Sequence, residues 1–270
     1  MKPGPALLLH SFRRMRLLVL GAGAILAGFQ ILLCLAAKTV AEADAFGPLL
    51  ALIPDYLRQL LGPAAVSLMS FKGLVGVGYF HFAVVAATVG LVIAIATEVS
   101  GEIETRFVDL LLSRPLPRHW LITRSVVLLA GASLGLLLAM IAGTLLGLWW
   151  FAPAAAVQPA LVLVRSLALN LGALLFCWGG LVLAVAAAAR RRSVAGAIVG
   201  LLALSTYLFD YIAQIWKPTG KIAPLFPFHY YNALHLLSSG ALPLREIGIL
   251  LGFGLAGIAL AYFWFSRRDL

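Results

Sequence analysis

The run from Ser125 to Val164, SVVLLAGASLGLLLAMIAGTLLGLWWFAPAAAVQPALVLV, holds forty residues without one charged side chain. A helix needs about 20 apolar residues to cross the hydrocarbon core of a bilayer, so this run is too long for one crossing. Pro153, Gln158 and Pro159 break it, and Trp149 and Trp150 stand just before the break as an interfacial aromatic belt would. The third span therefore runs from about Leu121 to Phe151, and the fourth begins near Arg165, beyond the break.

The remainder of the chain follows the same pattern. Uncharged runs place six spans at 17–37, 73–97, 121–151, 165–189, 193–216 and 247–266. Of the 270 residues, 63% are hydrophobic and 11% charged, and the mean hydropathy is +1.03. Soluble domains carry about a quarter charged residues, so a water-facing globule is excluded. Disorder needs low hydrophobicity and is excluded as well. The expected fold is all-α and integral to a membrane, a single domain over 1–270 with little polar sequence to spare for an extramembrane domain.

Twenty Lys and Arg face ten Asp and Glu, a net charge of +10. Six spans put both termini on one side, and that side receives 13 of the basic residues, among them Arg13, Arg14, Arg16, Arg124 and Arg190 to Arg192. The other side receives 7, including Lys38, Lys72, Arg165 and Arg245. The positive-inside rule makes the richer side cytoplasmic. The basic excess is thus read as a topology signal, and no nucleic-acid partner is expected. Before the first span, Leu8, Phe12 and Met15 alternate with basic residues. This segment reads either as an amphipathic helix on the inner surface or as a basic flank of the span. A cleaved twin-arginine signal is disfavoured by the length of the run from Leu17 and the five spans after it.

Several side chains stand out. The third span carries small residues every four positions, Gly131, Gly135, Ala139, Gly143 and Gly147, a stripe that allows close approach of another helix. Gly196 with Gly200, and Gly248 with Gly252 and Ala256, repeat the spacing more weakly. Arg165 and Asp210 lie at matching depth near the outer ends of the fourth and fifth spans, within reach of an ion pair or else each facing water. His81 is alone in the second span and is expected to be packed rather than to bind a ligand. Cys34 and Cys177 lie in different spans without motif partners, which gives neither a disulfide framework nor a metal site. His229 and His235 are six apart and do not share a helical face, so a metal site with Glu246 is a weak reading. Residues 51–61 read as a short surface helix. The Pro-broken apolar stretch 224–237, within the outer segment 217–243, reads as re-entrant or interfacial.

The loop 98–120, EVSGEIETRFVDLLLSRPLPRHW, concentrates four of the ten acids. Its centre suits a short amphipathic helix with Phe107, Leu110 and Leu111 on one face, ended by Pro115 and Pro117. Between two long spans such a helix is a lever that a partner could grip. Here the sequence resembles the ABC-2-type permeases, the membrane subunits of type V ABC transporters. Their loop runs acid, Gly-Thr, an acid within a Leu run, then Pro-x-x-Arg. Glu104, Asp109, Leu110 to Leu112, Ser113, Arg114, Pro115 and Arg118 match, and Arg106-Phe107 replaces Gly-Thr. Arg124 falls where that family has Lys. The Tyr-Tyr-Asn segment 230–232 and the ending FSRRDL are similar too.

The resemblance implies a bacterial inner-membrane permease working as two copies with two soluble ATPase subunits. The loop would be a coupling helix, with Glu98, Glu102, Glu104, Arg106, Asp109, Arg114, Pro115 and Arg118 as coupling residues. The N-terminal amphipathic helix would rest at the inner interface beside membrane lipid. ATP-driven closure would move substrate outward or do work on a periplasmic protein, as in the relative that serves nitrous-oxide-reductase maturation. The chain itself has no Gly-x-x-x-x-Gly-Lys-Ser/Thr loop, so no cofactor is expected in it, and ATP and Mg belong to the partner ATPase. The competing readings are an intramembrane enzyme and an ion-driven carrier or channel. The enzyme lacks a nucleophile–base or His-Glu-x-x-His pattern, and the carrier lacks an internal repeat.

Overall fold

The computed structural model describes residues 3–43, 68, 70–105, 117, 119–154, 156–216 and 221–267. Among them there is no strand, and six helical stretches are long and apolar enough to cross a membrane. In chain order the helices are α1 (Pro3–Glu42), α2 (Phe71–Phe80), α3 (Phe82–Ala96), α4 (Glu98–Glu104), α5 (His119–Phe151), α6 (Leu161–Ala188) and α7 (Arg192–Ile215). Two 3₁₀ turns (Ala223–Leu225 and Pro227–Tyr230), α8 (Ala233–Ser239) and α9 (Leu244–Ser266) follow. Together α2, α3 and α4 make the second long stretch, Phe71–Glu104.

Helix α6 is the centre. Leu171, Leu174, Cys177, Trp178 and Val182 are all sealed from solvent, and α5, α3, α7 and α9 surround it. Its closest neighbour is α9. A Cβ on Gly180 would fall on the backbone of Gly254, and one on Gly257 would lie 2.4 Å from the Gly180 carbonyl carbon. Only residues without a side chain let these two backbones touch. The α9 glycines at this contact are therefore Gly254 and Gly257. Gly248 and Gly252, which repeat the four-residue spacing, meet nothing within 4 Å.

The five-residue stripe of α5 faces α1. Going up α5, Gly131 lies against Phe12, Gly135 against Val19, Ala139 against Gly23, Gly143 against Ala27 and Gly147 against Ile31 and Cys34. Both series rise together, so α1 and α5 run parallel. The chain from Pro3 to Glu42 is one helix without a break at Arg16–Leu17. The basic N-terminal segment is hence helically continuous with the first long apolar stretch. No proline or turn residue interrupts it there, and Met15 already packs on the core.

The second stretch is interrupted where the sequence gives no proline. His81 has φ −56° and ψ 132°, outside the helical region, and separates α2 from α3. The exposed His81 accepts the Ala83 N–H on Nδ1 at 3.2 Å. The Tyr79 carbonyl, which that amide would serve in a continuous helix, accepts instead from the Tyr231 hydroxyl at 2.7 Å. His81 is therefore an N-cap at a break and not a packed core residue; its ring lies 5.8 Å from Phe29.

Residues 221–243 form a cap on this end of the bundle. Phe228 inserts between Trp178 and Tyr207, and Leu236 and Leu237 are buried. Asn232 caps α8 through the His235 amide, and Gly240 ends it at φ +70°. The expected surface helix at 51–61 and the Phe107–Leu111 helix lie outside the described residues.

Candidate functional site

Helix α4 extends the second stretch by two turns at the end of the bundle where the arginines gather. Its acids recur at Glu98, Glu102 and Glu104, and each has a partner on another helix. Glu98 lies 3.6 Å from Arg14 of α1 and 3.0 Å from Arg192 of α7. Glu102 turns inward. One terminal nitrogen of Arg124 donates to both its oxygens at 2.6 and 2.5 Å, and Arg124 is only 2% exposed. Glu104 accepts the backbone N–H of Arg192 at 3.0 Å.

The last contact has a local reason. Arg192 is the first residue of α7, where backbone amides lack helical partners and the helix dipole is positive. A carboxylate from α4 therefore caps α7 from outside. The reverse need arises at the C-terminal ends of α3 and α6. The Arg192 guanidinium donates to the Ala94 carbonyl at 2.9 Å, and the Ser100 hydroxyl donates to the Ala186 carbonyl at 2.8 Å. Gly101 permits the approach, since a Cβ there would sit 3.3 Å from Arg192 Cδ. Helix α4 is thereby tied to α1, α5, α6 and α7 at once.

Beside this clamp, α3 and α7 touch only lightly and leave an open groove along their shared surface. A shallow, open depression of about 600 Å³ is lined by Ala94, Thr97, Glu104, Arg192 and Gly196. Further along, a second of about 220 Å³ is lined by Val89, Gly90, Gly200, Ala203 and Tyr207, with Phe228 at its far end. Gly90 and Ile93 border both. Gly196 and Gly200 have nothing within 4 Å, so this glycine pair lines an open groove rather than a helix contact. The groove is apolar along its length and charged at its mouth.

Of the coupling residues expected from sequence, Glu98, Glu102 and Glu104 are gathered in this clamp. Arg106, Asp109, Arg114, Pro115 and Arg118 lie outside the described residues. Glu102 is buried on Arg124, while Glu104 is exposed. At the opposite end, of the two readings of Arg165 and Asp210, the ion pair is not found among the described residues. Arg165 belongs to the outward stripe of α6 with Leu161, Val162 and Leu169, all exposed. Asp210 lies instead 3.6 Å from His229. Among the described residues no three His, Cys, Asp or Glu converge as metal ligands.

Sequence reasoning missed Arg192 as a hub and the Glu102–Arg124 pair. A signal existed for the pair: Arg124 stands inside an apolar span, where an ionised group calls for a partner. Burial also keeps the Tyr231 phenol well above its usual pKa, so it remains a donor to the Tyr79 carbonyl. The sequence matches no protein-family model and no curated protein.

Proposed function

We propose that the chain is the permease subunit of an ATP-driven exporter, working with a separate soluble ATPase, two copies of each, in a bacterial cytoplasmic membrane. Both termini and the arginine-rich end then face the cytoplasm. The observation that carries this reading is the clamped helix Glu98–Glu104, which leads into the segment resembling the ABC-2 coupling loop. A lever transmits force only when it is tied to what it must move. Through Arg14, Arg124 and Arg192 the base of this one is tied to three other membrane-length helices. The groove between α3 and α7 supports the same reading, because a push on α4 acts on Glu104 and Arg192 at its mouth. The output is outward movement of a substrate or work on a periplasmic protein.

The test is purification of the tagged full chain from its native cells in mild detergent, followed by an ATP-hydrolysis assay on the eluate. The reading predicts co-elution of a nucleotide-binding subunit and its activity. A folded chain that elutes without any ATPase, and that transports in vesicles on an ion gradient alone, would favour the carrier reading instead.

A further inference from the structure

At the arginine-rich end α1 and α5 line an open groove of about 370 Å³. Its walls are apolar: Val19 and Leu20 from α1, Leu128 and Ala132 from α5. Phe12 lies over Gly131 at its head, where a Cβ would stand 2.8 Å from the ring. Arg13 and Arg16 also line it, and both are exposed. Three residues apart, they share one face of the helix. Arg14, on a different face, is engaged with Glu98. Among the described residues neither Arg13 nor Arg16 has a carboxylate within salt-bridge distance. The groove thus has a doubly positive, uncompensated mouth and an apolar floor. Both arginines sit immediately before the apolar run that starts at Leu17, which is headgroup depth for a helix that crosses the membrane from there.

We infer that this groove binds one anionic phospholipid of the inner leaflet. Its phosphate sits between Arg13 and Arg16, and an acyl chain lies along Val19, Leu20 and Leu128. A zwitterionic lipid fills the floor equally well but leaves the mouth with excess positive charge, so charge supplies the selectivity. The bound lipid would also brace α1 where Arg14 reaches Glu98, and so steady one of the arms that hold α4. The inference rests on the membrane-spanning orientation proposed above and not on the ATPase.

The test is native mass spectrometry of the detergent-purified full chain, without ATPase, titrated with phosphatidylglycerol and phosphatidylcholine of identical acyl chains. Two arginines at the mouth predict a preference for phosphatidylglycerol of roughly tenfold or more. R13Q/R16Q should abolish that preference, R13K/R16K should keep most of it, and L20W should weaken retention of both lipids by blocking the acyl lane. Phosphatidylglycerol, but not inorganic phosphate, should also raise the Tm of the wild-type chain, a measurement that needs no variant to fold. Equal binding of the two lipids, an undiminished preference in R13Q/R16Q, a Tm rise with inorganic phosphate alone, or a second copy of the chain in the groove would each overturn the inference. None of these results depends on whether an ATPase co-purifies, so this inference and the permease reading can fail separately.

Discussion

Arg124 stands one turn inside an apolar helix and is 2% exposed, where an ionised group without a partner is costly. Glu102 removes that cost by pairing with it, and the same contact fastens α4 to α5. Breaking one side of a buried pair leaves the other charge stranded, at about 3–5 kcal/mol, whereas replacing both with apolar groups is often neutral. Glu102→Leu and Arg124→Met should therefore each lower the Tm of the detergent-purified chain strongly, and the double variant should recover most of the loss. Additive losses in that cycle would mean the two side chains do not interact. Glu104→Gln should act more gently, by about 0.5–1 kcal/mol, because it keeps an acceptor for the Arg192 amide and loses only the favourable charge at the helix start. The acids of α4 are conspicuous in the sequence as a charged loop. Their division into one buried and two at the margin is not, because it depends on arginines 22 to 94 residues away meeting them through the fold.

Among the helices, small residues do two opposite things. Gly143 lets the α1 backbone approach so closely that a Cβ would lie 2.5 Å from the Ala27 carbonyl oxygen. Gly143→Leu must push α1 and α5 apart, and we expect a loss of at least 2 kcal/mol in chemical or thermal unfolding. Gly200 faces the open groove, so Gly200→Ala should leave stability unchanged or raise it by about 0.5–1 kcal/mol through better helix propensity. Equal losses at both sites would contradict this division. A four-residue spacing is visible in any sequence, but it specifies a stripe and not its neighbour. The long ladder of α5 can be read from sequence for that reason, while the short pairs in α7 and α9 carry too little spacing to name a contact and make none. The α6–α9 contact uses Gly254 and Gly257, three apart, and the spacing of four drew attention elsewhere. The break at His81 was hidden for a different reason. Its cause is tertiary, since Tyr231 supplies the hydrogen bond that the helix gives up. Tyr231→Phe should cost about 1 kcal/mol and increase hydrogen exchange at the junction of α2 and α3.

Over the whole molecule, six helices of membrane length follow directly from composition and run length, and so does the gathering of arginines at one end. The groove between α3 and α7, and the clamp that closes on its mouth, required the fold. They join one lever to one opening, which is what the proposed permease needs. Orientation can be checked independently: cysteines introduced at Ser238 and at Arg190 in a C34A/C177A background should react with an impermeant maleimide from opposite faces of the cell membrane, Ser238 from outside. Most direct for the central claim is ATP hydrolysis by the co-purified complex in lipid nanodiscs, with the wild-type chain and with Glu104→Lys or Arg118→Glu. Permease-dependent hydrolysis in the wild type, lost in these charge reversals while the subunits remain associated, is the predicted result. Hydrolysis and transport unchanged by either reversal would contradict the assignment of 98–118 as the coupling segment.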